Sequence, residues 1–258
     1  MSAPFRLREY EAKGFEKEGA MNEVCIQDSK TRELRKDLEW WDVVVVALIL
    51  FGGAIYNSTM TFFITPAGAY DQNLVFTAAD NWYAMGTIIV ELTVAYVYLH
   101  FRRFDFSQWI YRITLKGTLA AVGLFALISV GMDLVTILSE GPAQAFAYVG
   151  SGGWRYVLEE IDVSVVLFSL LNGFYEEIFF LGVVAAVAKD KMIPVFAFSV
   201  FIRFSFHTYQ GLPSAMGIGL IIGCVFYYLY LKNGKNLYPF MLAHTFADIF
   251  GVGFLSLL

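Results

Sequence analysis

Long apolar stretches recur along almost the whole sequence, and they constrain the fold more than any other feature. Seven of them follow a charged N-terminal tail, and most approach the ~20 residues that a helix needs to cross a bilayer. They cover approximately residues 42–64, 82–101, 117–138, 161–188, 192–209, 213–231 and 237–258. Only 16% of the residues are charged, whereas a soluble domain carries about 25%. We therefore predict an all-α, polytopic membrane protein with about seven transmembrane helices.

Residues 1–40 form a separate region, which we predict to be a cytoplasmic tail. They contain eight Lys/Arg and nine Asp/Glu residues. Towards the end of the tail the pattern becomes helical, because Leu34, Leu38 and Trp41 are spaced i, i+4, i+7. We interpret 29–41 as an amphipathic helix at the membrane interface. The alternative is a solvated tail without a function of its own.

Positive charges alternate between successive loops, and this alternation predicts the orientation in the membrane. The tail holds eight Lys/Arg residues and loop 102–116 holds four, whereas loops 65–81 and 210–212 hold none. By the positive-inside rule, the N-terminus faces the cytoplasm and the C-terminus faces the opposite side. We expect the membrane domain, residues 41–258, to lie in the cell membrane of a bacterium. The sequence has no basic stripe of the kind that binds nucleic acids.

Two adjacent glutamates in the fourth apolar segment are the first candidate functional residues. Glu176 and Glu177 lie in an apolar run, and a carboxylate at that depth costs roughly 2.5–3.5 kcal/mol. Neighbouring residues on a helix point about 100° apart, so the two carboxylates cannot aim at the same point. One of them can act on a substrate while the other pairs with a cation.

Four further ionisable residues could complete a site with these glutamates. Arg203 and His207 lie four residues apart in the fifth segment, and His244 and Asp248 have the same spacing in the last one. A buried carboxylate can take a proton from water. Histidines can bind a metal, position that water or stabilise an oxyanion. The set favours a hydrolase that cleaves peptide bonds in a polar cavity between the last four helices.

Other polar residues in the apolar segments leave their roles open. Glu91 and Asp133 are solitary acids in the second and third segments, where pairing and catalysis are equally compatible with the pattern. Cys25 lies in the tail and Cys224 in an apolar segment, which excludes a disulfide framework and a Cys-rich zinc site.

Three short motifs resemble those of the CPBP family, also called Abi, which comprises CAAX prenyl proteases and bacteriocin-processing intramembrane proteases. The motifs are Glu176-Glu177, His207 followed by Tyr209-Gln210-Gly211, and His244-Thr245-Phe246-Ala247-Asp248. They lie in order within residues 160–250, which we take as the catalytic core. The resemblance implies an intramembrane endopeptidase whose substrate is a membrane-associated or lipidated peptide or protein.

The resemblance also implies a role for each matching residue. Glu176 corresponds to the glutamate that activates water, and His207 to its partner on that water or to a zinc ligand. His244 and Asp248 correspond to a pair that stabilises the oxyanion or completes a metal site. A Zn²⁺ ion could then be held by His207, His244, Asp248 and Glu176. Glu177 corresponds to a structural second glutamate. The position of Asp248 is often Asn in this family, and an Asp there would favour a nearby cation.

Two positions depart from the family pattern, and we hypothesise that they compensate each other. The family usually has Arg four residues after the second glutamate, where this chain has Leu181, and Phe four residues before the second-motif histidine, where it has Arg203. Arg203 would supply from the neighbouring helix the cation that Glu177 lacks on its own helix, because an unpaired carboxylate in a membrane is costly. The alternative is a relative whose active site has decayed.

Two functions of other classes are compatible with the same residues. An immunity or scaffold protein would bind a peptide or a membrane partner without catalysis. A proton-coupled transporter would use the buried acids as a relay. The transporter hypothesis predicts that the two halves of the chain resemble each other, and the sequence does not show such a repeat.

Overall fold

The computed structural model describes residues 34–65, 76–147, 149 and 153–255. Ten α-helices follow one another within these ranges. They are α1 (Trp40–Ile64), α2 (Ala78–Phe101), α3 (Leu115–Glu140), α4 (Pro142–Ala147), α5 (Gly153–Glu160), α6 (Val163–Glu177), α7 (Met192–Ser205), α8 (Leu212–Gly217), α9 (Gly223–Lys232) and α10 (Tyr238–Phe250). The two short helices α4 and α5 lie between the third and fourth apolar segments, where the sequence pattern predicted a loop.

Two π-helical turns extend these helices into longer units. The turn Ile178–Val183 continues α6 into the 3₁₀ turn Val184–Ala186, and the turn Ile218–Ile222 joins α8 to α9. Such turns are rare and occur frequently at functional sites. The first one begins directly after Glu177.

Within the described ranges, five units are long and apolar enough to cross a membrane. They are α1, α2, α3, the α6 unit from Val163 to Ala186, and the α8–α9 unit from Leu212 to Lys232. Helices α7 and α10 contain 14 and 13 residues, fewer than the ~20 of a typical span. The structure confirms a polytopic all-α membrane protein, whereas seven as the number of spans stays a prediction.

The interfacial helix predicted over 29–41 is not present in its described part. Helix α1 begins at Trp40, and the described residues before it are not helical. The backbone N–H of Leu38 donates to the carbonyl of Ala186 at 2.7 Å, so it bonds to a distant segment instead of to its own preceding turn. Residues 29–33, like the rest of the predicted tail before them, lie outside the described residues.

Segments that the charge pattern assigns to the cytoplasmic side lie next to one another. The segment before α1 contacts the loop after α2 and the end of the α6 unit, and the segment before α3 contacts the loop before α10. The paired residues are Arg35 with Phe104, Leu38 with Val187, and Ile110 with Asn236. One end of the molecule therefore collects segments that are predicted to share one side of the membrane.

Helix α6 starts at a side-chain cap that also ties it to α2. The carboxylate of Asp162 accepts the hydroxyl of Ser164 at 2.6 Å and the backbone N–H of Val165 at 2.9 Å. These hydrogen bonds, that of Ser164 above all, hold the pKa of Asp162 below its ordinary value. The Ser164 hydroxyl accepts in turn from Asn81 Nδ2 of α2 at 3.0 Å. The first turn of α6 is thereby fixed on its neighbour.

Helices α6 and α10 approach each other closely at Gly173. A Cβ atom added there would lie 2.6 Å from the carbonyl oxygen of Met241 and 2.8 Å from Thr245 Oγ1. Small residues allow membrane helices to come this close. The approach brings the glutamates of α6, one turn further along, to His244 of α10.

Helix α1 packs on the segments that carry the first and second motifs. The ring of Phe51 stacks on Phe206 with centroids 4.8 Å apart, and lies 5.2 Å from Tyr175 and 5.3 Å from Phe180. Aromatic contacts of this kind add about 0.5–1.5 kcal/mol beyond the area that they bury. Phe51 thus fixes residues next to both Glu176 and His207.

We expect Gly173→Ala to separate α6 from α10 and to lower the melting temperature in detergent. Overpacking costs about 1–3 kcal/mol, and each kcal/mol corresponds to about 2–4 °C in a protein of this size. Gly123→Ala in α3 is the matched control, since nothing lies within 4 Å of its added Cβ. Equal loss of stability in both variants would contradict the packing role of Gly173.

Candidate active site

Glu177 of α6 and Arg203 of α7 form a buried ion pair. Arg203 Nη2 donates to Glu177 Oε1 at 2.6 Å, and the two side chains are 0% and 1% exposed. The guanidinium also lies over the ring of Phe180, 4.0 Å from its centroid. These are the two residues that the departures from the family pattern were expected to bring together. The cation reaches Glu177 from the neighbouring helix.

His244 of α10 lies between the two glutamates. Its Nδ1 is 2.7 Å from Glu177 Oε1, and its Nε2 is 3.7 Å from Glu176 Oε1. A carboxylate accepts hydrogen bonds, so Nδ1 carries a hydrogen and donates it to Glu177. The two glutamates point in different directions on α6, as their spacing requires, and they reach opposite edges of one imidazole.

Asp248 and Asn172 complete the polar surface around Glu176. Asp248 Oδ1 is 3.6 Å from Nε2 of His244, and Asp248 Oδ2 accepts from Asn172 Nδ2 at 2.9 Å. The same amide nitrogen lies 3.3 Å from Glu176 Oε1. The side chain of Asp248 is 22% exposed and that of Glu176 only 5%, so the site opens towards the surface on the Asp248 side.

Sequence reasoning missed Asn172, although a signal was present. Asn172 is a polar residue in an apolar segment, four positions before Glu176 and therefore on the same helix face. We use the name charged cluster for the five ionisable residues that contact one another here. They are Glu176, Glu177, Arg203, His244 and Asp248.

One oxygen of Glu176 has no hydrogen-bond partner among the described residues. Oε1 faces the amide of Asn172 and the imidazole of His244, whereas Oε2 is buried and makes no hydrogen bond to any described residue. Buried polar atoms are nearly always paired, and an exception calls for an explanation. A carboxylate oxygen in this situation is available to accept a proton from a water molecule.

His207 lies beyond the end of α7, not on its helical face as the i, i+4 spacing predicted. In a continuing helix, the carbonyl of Arg203 would accept the backbone N–H of His207. Instead that N–H donates to Phe204 O at 3.1 Å, and the ring Nδ1 of His207 is 2.7 Å from Arg203 O. The side chain takes over the helical acceptor, which ends the helix at Ser205. Because a carbonyl only accepts, Nδ1 carries the hydrogen and Nε2 has a free lone pair.

His207 is joined to the charged cluster through the Arg203 backbone. Among the described residues, no hydrogen bond or ion pair connects its ring to Glu176 or His244. The structure therefore brings the predicted Glu176, Glu177, Arg203, His244 and Asp248 into direct contact. It links His207 to them through the hydrogen bond of its ring with the carbonyl of Arg203.

Helix α1 holds the turn that follows His207. The hydroxyl of Ser58, 4% exposed, accepts the backbone N–H of Tyr209 at 2.9 Å. Thr208 Oγ1 lies 2.9 Å from Ser58 Oγ and donates its own hydrogen to Ser205 O at 3.1 Å, so Ser58 is the donor to Thr208. Sequence reasoning missed Ser58, since a serine in an apolar segment carries no signal of a partner 150 residues away.

The other two buried acids pair with groups outside the charged cluster. The hydroxyl of Tyr175 lies 2.7 Å from Glu91 Oε2. Asp133 accepts the backbone N–H groups of Phe254 at 3.0 Å and Leu255 at 3.2 Å. Of the two roles that the sequence left open, these contacts favour pairing.

The ligand set predicted for Zn²⁺ does not assemble as a unit in this arrangement. Among the described residues, one group brings three potential ligand atoms within 4.8 Å of one another, and it consists of Glu176, Glu177 and His244. Neither His207 nor Asp248 belongs to it. Glu177 already accepts from a guanidinium, so a divalent cation there would face another cation. Three protein ligands are fewer than the four of a closed structural zinc site, and zinc binding stays a prediction.

We expect Arg203→Leu to destabilise the protein by about 3–5 kcal/mol, because it leaves Glu177 buried without its cation. Adding Leu181→Arg should recover most of this loss. Leu181 is 1% exposed and lines the same small cavity as Arg203, so a guanidinium from position 181 enters the same space. Melting temperature in detergent and accumulation in membranes measure both effects.

Two further results of this series show whether positions 181 and 203 compensate each other. Arg203→Leu combined with Glu177→Leu should be less damaging than Arg203→Leu alone, because no charge is left without a partner. If the single variant is as stable as the wild type, or if Leu181→Arg fails to rescue it in a folded protein, the two positions do not compensate each other.

The comparison with known families bears on the segment that contains these residues. The family model for the Rce1-like proteins, described as type II CAAX prenyl endopeptidase Rce1-like, matches residues 160–250. The matched range contains the whole charged cluster and His207, and it leaves α1, α2 and α3 outside. No curated protein and no solved structure matches the chain. Residues 160–250 of this membrane protein thus match the Rce1-like type II CAAX prenyl endopeptidase family, in agreement with the resemblance that the three motifs predicted.

Proposed function

We propose that this protein is an intramembrane endopeptidase that hydrolyses a peptide bond in a membrane-associated or lipidated substrate, with Glu176 as the general base. The observation that carries the proposal is the buried Oε2 of Glu176, which has no partner among the described residues. It lies within a segment that matches a peptidase family. Oε2 of Glu177 is also buried without a partner among the described residues, but Oε1 of that residue is held by Arg203 and His244. Glu176 instead lies beside Asp248, on the open side of the site, where a water molecule can reach it.

Glu176 drives the reaction by moving one proton. It takes a proton from water, and the water oxygen forms a bond to the carbonyl carbon of the substrate. The π electron pair of the carbonyl moves to its oxygen, which becomes an oxyanion. When the carbonyl re-forms, the C–N bond breaks, and the nitrogen receives the proton that Glu176 had taken. The second hydrogen of the water stays on the new carboxyl group until it is lost to solvent.

Glu177 and His207 orient this chemistry without exchanging that proton. Arg203 and His244 both donate a hydrogen bond to Oε1 of Glu177. These two donors keep the carboxylate of Glu177 ionised. Nε2 of His207 is left as an acceptor, because Nδ1 donates to Arg203 O. It accepts the second O–H of the attacking water and turns the water oxygen towards the substrate carbon.

The exposed apolar side chains of the spanning units suit a substrate that carries an apolar chain. Leu170 and Phe174 of α6 are 49% and 38% exposed, and Leu212 and Met216 of α8 are 45% and 52% exposed. Each CH₂ group that moves from water into the bilayer contributes about 0.8 kcal/mol, so a lipid chain on the peptide would hold it in the membrane that surrounds these units. The family description names a CAAX prenyl endopeptidase, and a peptide with a prenylated Cys-a-a-X terminus is the first substrate to test.

We also propose the orientation with the N-terminus in the cytoplasm of a bacterial cell. The supporting observation is the contact between Leu38 and Val187 and between Ile110 and Asn236, which unites segments rich in Lys/Arg at one end of the molecule. The charged cluster then lies inside the membrane domain, away from that end.

We expect Glu176→Gln and His207→Ala to reduce cleavage of a farnesylated Cys-a-a-X peptide in liposomes, the former by about 10²–10⁴-fold. Both proteins should reach wild-type levels in membranes by immunoblot. Glu91→Gln is the matched control, since this acid pairs with Tyr175 outside the charged cluster and its amide keeps that hydrogen bond. If both test variants cleave like the wild type, the protein acts as a binding partner and not as a protease.

Chelation tests the zinc prediction directly. We expect 1,10-phenanthroline and its non-chelating isomer 1,7-phenanthroline to leave the cleavage rate equally unchanged. Among the described residues, the one group of three potential metal ligands includes Glu177, and this carboxylate already forms an ion pair with Arg203. Loss of activity with the chelating isomer alone, restored by Zn²⁺, would show that Glu176 and His244 hold a metal.

A further inference from the structure

Asn172 lies between the two carboxylates that border the open side of the site. Its Nδ2 is 2.9 Å from Asp248 Oδ2 and 3.3 Å from Glu176 Oε1. The side chain is partly buried and comes from the same face of α6 as Glu176, one turn earlier. It is a neutral amide in a site whose other members are ionisable.

The two N–H groups of this amide are held unequally. The contact with Asp248 has the length of an ordinary hydrogen bond, whereas the contact with Glu176 is longer than the usual ~2.7–3.2 Å range for N–H···O. Asp248 therefore fixes the position of the amide. The second N–H is weakly bound and can turn to another oxygen that arrives beside Glu176.

Peptide hydrolysis requires a hydrogen-bond donor beside Glu176, and the neighbouring groups differ in what they can supply. Ionised carboxylates only accept hydrogen bonds. Arg203 donates from Nη2 to Glu177, and it lines a small cavity with Phe196, Phe226 and Tyr227. Nδ1 of His244 is also taken by Glu177, and its Nε2 faces the carboxylates of Glu176 and Asp248 at 3.7 and 3.6 Å. The weakly bound N–H of Asn172 is a neutral donor that already faces Oε1 of Glu176.

We propose that Asn172 donates a hydrogen bond to the oxyanion of the tetrahedral intermediate, and that Asp248 is the positioning residue that holds its amide in place. This inference rests on the proposed protease function. As the water proton moves to Glu176, the carboxylate becomes a neutral acid and a weaker acceptor. The oxyanion forms at the same moment, so the N–H of Asn172 passes from Glu176 to the substrate oxygen. The interaction is stronger in the transition state than in the ground state, which is the condition for catalysis.

The test compares two farnesylated Cys-a-a-X peptides that differ in one atom. In the second peptide, sulfur replaces the oxygen of the scissile carbonyl, and sulfur is the weaker hydrogen-bond acceptor. We expect wild-type protein in liposomes to prefer the oxygen peptide. In Asn172→Ala, kcat for the oxygen peptide should fall about 10²–10³-fold with little change in KM, and the preference for oxygen over sulfur should fall with it.

Three variants separate this role from a structural one. Asn172→Asp removes both N–H groups at nearly constant size, so it covers the case in which Asn172→Ala does not accumulate. Asp248→Ala should lower kcat less than Asn172→Ala, because the donor is retained but no longer fixed. Asn81→Ala removes an amide that is more deeply buried than Asn172 and that donates to Ser164 at 3.0 Å, away from the site. This variant should keep the wild-type preference for oxygen.

The outcomes distinguish this inference from the proposed function. A wild-type protein that cleaves the oxygen peptide, with an Asn172→Asp variant that keeps full kcat, overturns the role of Asn172 alone. A fall in kcat with an unchanged preference for oxygen over sulfur also overturns it, because a structural defect slows both peptides equally. A wild-type protein that cleaves neither peptide overturns the protease proposal and this inference together.

Discussion

The ion pair between Arg203 and Glu177 is the contact on which the other polar contacts of the site depend. Two charges in a low-dielectric interior attract strongly, and each is very costly without the other. Because Glu177 stays ionised beside the guanidinium, it accepts the Nδ1 hydrogen of His244 at 2.7 Å and fixes the orientation of the ring. Nε2 of His244 then faces Glu176 and Asp248. The ion pair between Arg203 and Glu177 therefore determines how the imidazole of His244 is oriented towards Glu176 and Asp248.

The backbone supports this arrangement with two departures from regular helical packing. Gly173 lets α10 come close enough to α6 for one imidazole to reach two consecutive glutamates. At the end of α7, His207 takes the carbonyl of Arg203 with its side chain, so the chain leaves the helix at the point where a histidine is needed. Polar groups inside a membrane must be satisfied within the protein. Here the side chain of His207 satisfies the carbonyl of Arg203, which the end of the helix would otherwise leave without a partner.

The sequence predicted the membrane helices and most of the charged cluster, because both follow from local and simple rules. Apolar length predicts spans, and the cost of a lone buried carboxylate predicted a partner for Glu177. The remaining features depend on partners that are remote in the chain. Asn172 binds Asp248 76 residues later, and Ser58 binds Thr208 150 residues later. The segment before α1 has a helical pattern, but its backbone bonds to Ala186. The end of α7 depends on a competition between side chain and backbone that spacing alone does not reveal.

The contact of Ser58 with the turn after His207 has a consequence for biosynthesis. Helix α1 enters the membrane first, and its hydroxyl has no distant partner until 150 further residues have been made. In the meantime a serine in a helix can donate to the carbonyl four residues before it. Until then the hydroxyl of Ser58 can be satisfied within α1 in this way. A chain that stops before Thr208 lacks the hydrogen bonds that fix the turn after His207, and it also lacks α10 with His244 and Asp248. The candidate site is therefore assembled only after α10 has been made.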